Sequence, residues 1–446
     1  MSSDPTQALR QPTRLRDAYR FFVPLMFMSE LMMISHVIIN AFLARMTNPE
    51  PILAAYGVAF GCQTVLGAPV WACSIVFLSF IKDRASVRKL IVFGFQTFFA
   101  LLWLWLILAL MPVGQRFFEV TFGLSPEIAR DAQLCLFIGM FIPPITVFRS
   151  MAYGILMVER RTAVVTFVTL VRLAGLAVIL AILTRWFDGA AVGMYALLGC
   201  ISVETIVAVA VALPAYLRRP VQAELPPPYR ELWRFSWPVM VMQIAESGVA
   251  LAAHFFLGRL PNAVTALAGF TVLDSIMRLM LSPLRNLIHT TQTLVHTRAD
   301  GRVIILFGFH MALLFGAFVL LFNVPAFRTL TLDWIMGLPA DMAEYITPAL
   351  RVSLLLALCM AAAAATRGFL IASKNTGVIA VSSAVRICAV ALTGTVALTV
   401  GAENGAMVGL AALTFAFGAE AVVLGVRLWQ LERRPPGLFG ERRAAA

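Results

Sequence analysis

Eleven charged side chains lie inside stretches of the sequence that are otherwise apolar. Arginine binds carboxylate and phosphate groups through forked, charge-assisted hydrogen bonds, and a carboxylate can carry a proton or a cation. A charge at the centre of a lipid bilayer costs at least about 2.5–3.5 kcal/mol unless it is paired or wetted. Each of these residues therefore needs a reason for its position. They are Arg149, Arg172, Arg278, Arg285, Arg367, Arg386, Glu30, Glu204, Glu246, Asp274 and Glu420.

An internal repeat sorts these charges into two groups. The stretch RFFVP at 20–24 returns as RFSWP at 234–238, and the same offset in numbering, from Arg20 to Arg234, persists through most of both halves. We call it the repeat offset. After Arg172, which corresponds to Arg386, the offset grows by two positions. A charge that is present in both copies is most simply part of a shared scaffold. A charge found in one copy is a better candidate for function.

Two of the charged residues are repeated in both halves. Arg172 and Glu204 lie at similar depths of neighbouring apolar segments, and Arg386 with Glu420 repeats that arrangement. Because a paired buried charge is tolerated better than a single one, we expect one structural Arg–Glu pair in each half.

The unrepeated arginines are the candidates for substrate binding. Asp274, Arg278, Arg285 and His289 fall within about 60° of one another on a helix with 100° per residue, so this polar stripe should line a cavity. Arg149, Arg285 and Arg367 have no obvious acidic neighbour in the sequence, and they predict an anion site. Arg278 and His289 are assigned to the same site.

The remaining acids allow a different chemistry. Glu30, Glu246 and Asp274 could carry a coupling proton or neutralise an arginine. A proton- or sodium-coupled exporter of drugs or cations would use one of them.

The sequence offers little support for an enzyme. It has no arrangement of nucleophile and base, no phosphate-binding loop and no metal-ligand spacing, so we expect neither a metal nor a cofactor. All six cysteines fall in apolar segments without a CxxC motif and are interpreted as core residues.

The elements that must position these residues are membrane helices. The chain has 446 residues, of which 60% are hydrophobic and 13% charged, as is typical of a polytopic membrane protein. Long unalternating apolar runs predict an all-α fold, since backbone groups in lipid must be satisfied within the segment. Twelve spans are predicted near 21–43, 53–80, 87–111, 132–158, 162–183, 190–217, 236–257, 263–295, 302–322, 349–373, 377–400 and 405–430.

Six spans in each half make the two halves parallel repeats. The predicted organisation is an N-terminal six-helix bundle over 1–217, a cytoplasmic linker over 218–233, and a C-terminal bundle with a basic tail over 234–446.

The basic residues predict the orientation. Twenty-two Lys and Arg residues lie on the side of the predicted termini and even-numbered loops, and six lie on the other side. The positive-inside rule then places both termini in the cytoplasm and the chain in the plasma (inner) membrane. The net charge of +12 is spread over membrane-flanking loops, so we expect contact with anionic lipids and not with nucleic acid.

Several short stretches resemble a known family. The RFFVP opening, LAAYGVAF at 53–60, IKDR at 81–84, FSWP at 235–238, GRL at 258–260 and SSAVRI at 382–387 look like the progressive ankylosis (ANKH) family. Twelve helices in two parallel halves also resemble the wider MATE-type superfamily of exporters and flippases. The family resemblance implies export of anions such as pyrophosphate, nucleotides or citrate, although Arg149, Arg285 and Arg367 match no family charge.

The sequence thus predicts a monomeric alternating-access transporter that exports an organic or phosphorylated anion. Two alternatives stay open at this point, a coupled multidrug or cation antiporter and a lipid-linked oligosaccharide flippase.

Overall fold

The described chain is built of α-helices joined by short loops. The computed structural model describes residues 13–159, 161–221, 225–295, 297–373 and 377–433. Basic residues at Arg10, Arg160, Lys374, Arg434, Arg442 and Arg443, including the predicted basic tail, lie outside these ranges. The helices are α1 (Leu15–Leu43), α2 (Pro49–Phe80), α3 (Arg84–Leu110), α4 (Pro112–Phe122), α5 (Pro126–Gly139), α6 (Ile142–Val158), α7 (Thr162–Trp186), α8 (Ala191–Arg218), α9 (Tyr229–Leu257), α10 (Ala263–Arg285), α11 (Leu287–Leu294), α12 (Arg298–Leu320), α13 (Pro325–Arg328), α14 (Ala340–Val352), α15 (Leu354–Ala372), α16 (Gly377–Val400) and α17 (Gly405–Arg433).

The predicted all-α membrane fold is confirmed. Eleven helical stretches of the described chain are long and apolar enough to cross a membrane. The first predicted span coincides with α1, which has 29 residues and contains a shorter apolar stretch at Met33–Leu43. Twelve spans are consistent with this arrangement, and the chain is a multi-pass membrane protein.

Three predicted spans are interrupted instead of continuous. The fourth span divides into α5 and α6 just before Pro143 and Pro144, because proline lacks the backbone N–H that would continue the helix. The eighth span divides into α10 and α11 at Asn286, shortly after Pro283. The tenth span divides at Ser353 between α14 and α15.

The repeat is visible in the backbone geometry. Asp83 and Ser86 form a reciprocal capping box at the start of α3, and Thr297 with Asp300 forms the corresponding box at the start of α12. The two boxes are related by the repeat offset. The carboxylate comes first in one box and the hydroxyl comes first in the other. Both boxes satisfy backbone N–H groups that the first helical turn leaves without a partner.

Each half also has a short element that the sequence did not predict. In the first half it is α4, and in the second half it is α13 with the π-helical turn Thr329–Ile335. Gly123 and Gly337 follow these elements with φ values of +64° and +66°. Only glycine adopts this left-handed conformation without steric cost, so both glycines end their elements in the same way.

The halves are joined by a crossed pairing of their first two helices. Helix α1 packs against α10 of the second half, and α9 packs against α2 of the first half. The predicted division at 218–233 stays a prediction, with α8 ending at Arg218 and α9 beginning at Tyr229. The last part of the predicted linker, 229–233, therefore belongs to α9.

We name the two ends of the helix bundle by their loops. The basic face carries the α2–α3, α6–α7 and α8–α9 loops and the start of α1. The opposite face carries the α1–α2 and α9–α10 loops, α4 and the segment 325–335.

Candidate functional site: a central cavity lined by arginines

A cavity of about 770 Å³ lies between the two halves. On α2 its wall runs from Phe60 to Leu78, which is close to the end of that helix at the basic face. Met157 and Val165, at the end of α6 and the start of α7, also line it. The cavity therefore extends from the middle of the helices to the basic face.

The second helices of the two halves close the other end of the cavity. Gly57 on α2 and Thr271 on α10 are equivalent positions of the repeat, and they lie against each other. A Cβ atom at Gly57 would stand 1.8 Å from Thr271 Oγ1. Glycine at this position thus permits the closest approach of α2 and α10.

The polar stripe predicted for the eighth span lines the cavity. Asp274, Arg278, Arg285 and His289 all belong to its wall, although the break at Asn286 places His289 on α11. Arg278 Nε donates to Asp274 Oδ2 over 2.6 Å, one turn apart on α10. The side chains of Arg278 and Arg285 are 40% and 51% exposed. They are the most accessible of the candidate arginines whose exposure the structure gives.

The three arginines without an obvious acidic neighbour in the sequence each contact a carboxylate in the structure. Arg149 Nη1 donates to Glu204 Oε2 over 2.9 Å. Arg285 Nη2 donates to Glu246 Oε1.

Arg367 makes a bidentate contact. It donates through Nε and Nη2 to both carboxylate oxygens of Glu420, at 2.6 and 2.7 Å. The partners of all three arginines lie on other helices, so spacing along a single helix could not reveal them.

The repeated charges meet as well, but in larger groups than pairs. Arg172 Nη1 lies 3.6 Å from Glu204 Oε2, and Arg386 Nε lies 3.3 Å from Glu420 Oε2. Each glutamate is fully buried and contacts two arginines. Each cluster of one buried glutamate and two arginines therefore has a net charge of one positive.

Sequence reasoning missed the hydroxyl groups of these clusters. Tyr153 Oη donates to Glu204 Oε1 over 2.7 Å, and Ser382 Oγ donates to Glu420 Oε1 over 3.0 Å. The repeat offset leads from Tyr153 to Arg367, so Arg367 occupies the repeat position of Tyr153 and not that of Arg149. Comparing Tyr153 with Arg367 in the two copies could have pointed to this tyrosine from the sequence.

The candidate arginines differ in their access to the cavity. Arg149, Arg172 and Arg386 belong to its wall, whereas Arg367 lies behind the wall against Glu420. Of the possible coupling acids, Glu246 and Asp274 line the cavity. Glu30 Oε1 accepts a hydrogen bond of 2.6 Å from Ser282 Oγ on α10.

Metal binding has no support in the described residues. Within the described ranges, His, Cys, Asp and Glu side chains form no group of three that could hold a metal ion. Four of the six cysteines are buried.

Several known structures with similar folds are transporters. An inward-facing multidrug resistance MATE family transporter of the MOP superfamily matches with a TM-score of 0.67 and 17% identity, over 90% of this chain and 96% of that one. A MOP superfamily transporter from Pyrococcus furiosus, described as having a binding pocket of reverse polarity that suggests a different function, gives 0.61 and 14%, over 96% and 97%.

A lipid II flippase has the same architecture. The inward closed conformation of this protein, MurJ, matches with a TM-score of 0.60 and 11% identity, over 92% of this chain and 87% of that one. No protein-family model and no curated protein matches the sequence. The fold of this chain is therefore that of the MATE-type transporters of the MOP superfamily.

Proposed function

We propose that this protein is an alternating-access transporter that exports an organic or phosphorylated anion, such as citrate, a nucleotide or a pyrophosphate-like ion. The charge of the cavity wall carries this proposal. Five arginines and two carboxylates line the wall, which gives it a net charge of three positive. Including Arg367, Glu30, Glu204 and Glu420 behind the wall leaves one positive charge. A cavity of one sign concentrates substrates of the other sign.

The fold itself does not select the substrate. It is shared by a multidrug transporter and by a lipid II flippase, whereas the positive wall disfavours a cationic drug as cargo. The stretches that resemble the progressive ankylosis family agree with an anion. The reversed pocket polarity described for the Pyrococcus furiosus protein is a precedent for such a difference within the fold.

Arg285 and Arg278 are the residues we propose for first contact with the anion. They are the two most exposed of the cavity arginines described above, and each is held by a single carboxylate, Glu246 or Asp274. An incoming anion can join that carboxylate on the guanidinium group, which has five N–H donors, so the carboxylate keeps its partner. Arg149, whose side chain is 13% exposed, would bind the anion next, while Arg367 acts through Glu420.

The proposal also includes the direction of transport. We infer that the protein lies in the plasma (inner) membrane with its basic face toward the cytoplasm. The cavity would then open to the cytoplasm in this conformation. The proposed transporter is a monomer without enzymatic activity or a resident cofactor.

Efflux from proteoliposomes tests the function. At least one of labelled citrate, ATP and pyrophosphate should leave vesicles that contain the wild-type protein. Efflux of the transported anion should fall about tenfold with Arg285→Ala, since one charge-assisted contact is lost. Arg298→Ala is the matched control, because that arginine forms an exposed ion pair with Glu432 outside the cavity.

A double variant separates binding from charge balance. If Arg285 only neutralised Glu246, removing both side chains in Arg285→Ala/Glu246→Ala would restore efflux. We expect no restoration, because the substrate contact is still missing. Unchanged anion efflux in Arg285→Ala, together with loss of cationic dye export in Glu246→Gln, would favour the coupled antiporter instead.

A further inference from the structure

Two arginines on the opposite face are repeat equivalents. Arg45 directly follows the C-terminal turn of α1, and Arg259 stands at the same place after α9. From the sequence alone they are two of the six basic residues outside the basic face.

Each arginine contacts a short element of the other half. Arg259 Nη1 donates to Thr121 O over 2.5 Å and its Nη2 donates to Val120 O over 3.2 Å, in the last turn of α4. Its guanidinium also lies 3.6 Å from the centre of the Phe255 ring.

The second contact mirrors the first. Arg45 Nη2 donates to Trp334 O over 2.8 Å and to Ile335 O over 2.5 Å, at the end of the segment 325–335. The repeat offset leads from Val120 and Thr121 to Trp334 and Ile335. The same carbonyl groups are therefore bound in both halves, each by the arginine of the other half.

The chemistry of these contacts favours closure. The last carbonyl groups of a helix have no N–H partner within the helix, and they form the negative end of its dipole. A guanidinium group satisfies two of them with charge-assisted hydrogen bonds. Both arginines are exposed, so water can replace these bonds when the halves separate.

The surrounding backbone leaves little space at the same place. A Cβ atom at Gly258 would stand 1.9 Å from Phe122 O, and one at Gly337 would stand 2.5 Å from Arg45 Nε. Both contact regions, that of Arg259 and that of Arg45, are thus closely packed.

We propose that Arg45 and Arg259 form two symmetric clasps that hold the opposite face closed and that open when the cavity turns to that face. This inference rests on the proposed alternating-access transport. The clasps stabilise the conformation open to the basic face, and they are positioning residues that never contact the substrate.

Distance measurement between the halves tests the clasps. Spin labels at Asp188→Cys and Glu403→Cys report the separation of the halves, because both residues are exposed, one in the α7–α8 loop of the first half and the other in the α16–α17 loop of the second half. Cys359 and Cys388 are first replaced by serine, and the four buried cysteines stay in place. In the absence of substrate, wild-type protein should give mainly the short distance.

Loss of the clasps should populate a longer distance. The long-distance population should rise about threefold in Arg45→Ala or Arg259→Ala and about tenfold in the double variant. The lysine variants should lie between wild type and alanine, because lysine keeps the charge without the fork. Arg130→Ala, an exposed arginine of α5 near the same face, is the control and should leave the distances unchanged.

The outcomes separate this inference from the proposed function. An unchanged distance distribution in the double variant would overturn the clasps, even if anion efflux were demonstrated. Longer distances in a protein that transports no anion would support the clasps and count against the anion. Melting temperatures of all variants exclude unfolding as the cause of a longer distance.

Discussion

Each half buries one glutamate against cationic partners, but the two environments differ. Glu420 lies between Arg386, which belongs to the cavity wall, and Arg367, which lies behind it. Glu204 contacts Arg149 and Arg172, which both belong to the cavity wall. Removing one partner of a buried ion pair is more costly than the pair itself is favourable, because the remaining charge cannot reach water. The second half should therefore tolerate the loss of its glutamate less well.

This difference predicts unequal losses of stability. Glu420→Gln should lower the free energy of unfolding by about 3–5 kcal/mol, and Glu204→Gln by less, since water in the cavity can solvate Arg149. Thermal unfolding in detergent measures both. Ser382→Ala, which removes a single hydrogen bond to Glu420, is the matched control with an expected loss of about 1 kcal/mol. A wild-type melting temperature for Glu420→Gln would contradict this account.

At the level of helices, α2 and α10 control how closely the halves approach. They meet through Gly57 and Thr271, which are repeat equivalents with different side-chain sizes. A symmetric crossing has room for one side chain of that size but not for two. The two copies differ at this position, and the threonine side chain of one copy occupies the space that the glycine of the other leaves free.

Exchange of these two residues gives a direct test. Gly57→Thr alone should force the helices apart and raise the long-distance population between labels at 188 and 403, since a Cβ atom already overlaps Thr271. Adding Thr271→Gly should restore the wild-type distances, because it places the same two side chains in exchanged positions. Gly308→Ala, where a Cβ atom meets nothing within 4 Å, is the control. Wild-type distances in Gly57→Thr alone would show that the contact between α2 and α10 does not limit how closely the halves approach.

The repeat also explains which features could be predicted from the sequence. Apolar length predicted the membrane spans, although not the breaks within three of them or the short elements α4 and α13, and comparison of the copies identified Arg172 with Glu204 and Arg386 with Glu420. The partners of Arg149 and Arg285 depend on how separate helices are rotated against each other, which a single sequence does not specify. Arg45 and Arg259 were within reach, because they are related by the repeat offset, but their partners are backbone carbonyl groups without a sequence signal.

At the scale of the whole molecule, the repeat architecture places the charged cavity on an axis between two parallel halves. In alternating-access transport, the substrate crosses the bilayer together with its net charge. An inside-negative potential favours exit of an anion by about 2.3 kcal/mol per charge per 100 mV. The proposed export of an anion would therefore require no coupling ion, provided that the arginines of the wall remain in place during the cycle.

This energetics predicts that efflux depends on the membrane potential. In proteoliposomes with a potassium gradient and valinomycin, a potential of about 100 mV, negative inside, should favour anion exit, with the equilibrium ratio changing about 50-fold per charge relative to zero potential. Reversing the potassium gradient should oppose efflux, and vesicles without protein are the control for leakage. Efflux that ignored the potential but required a proton gradient would identify a coupled carrier. Glu246 and Asp274 would then be the residues to change first, because a proton must bind to a carboxylate that the cavity can reach, and Glu30 would be changed next.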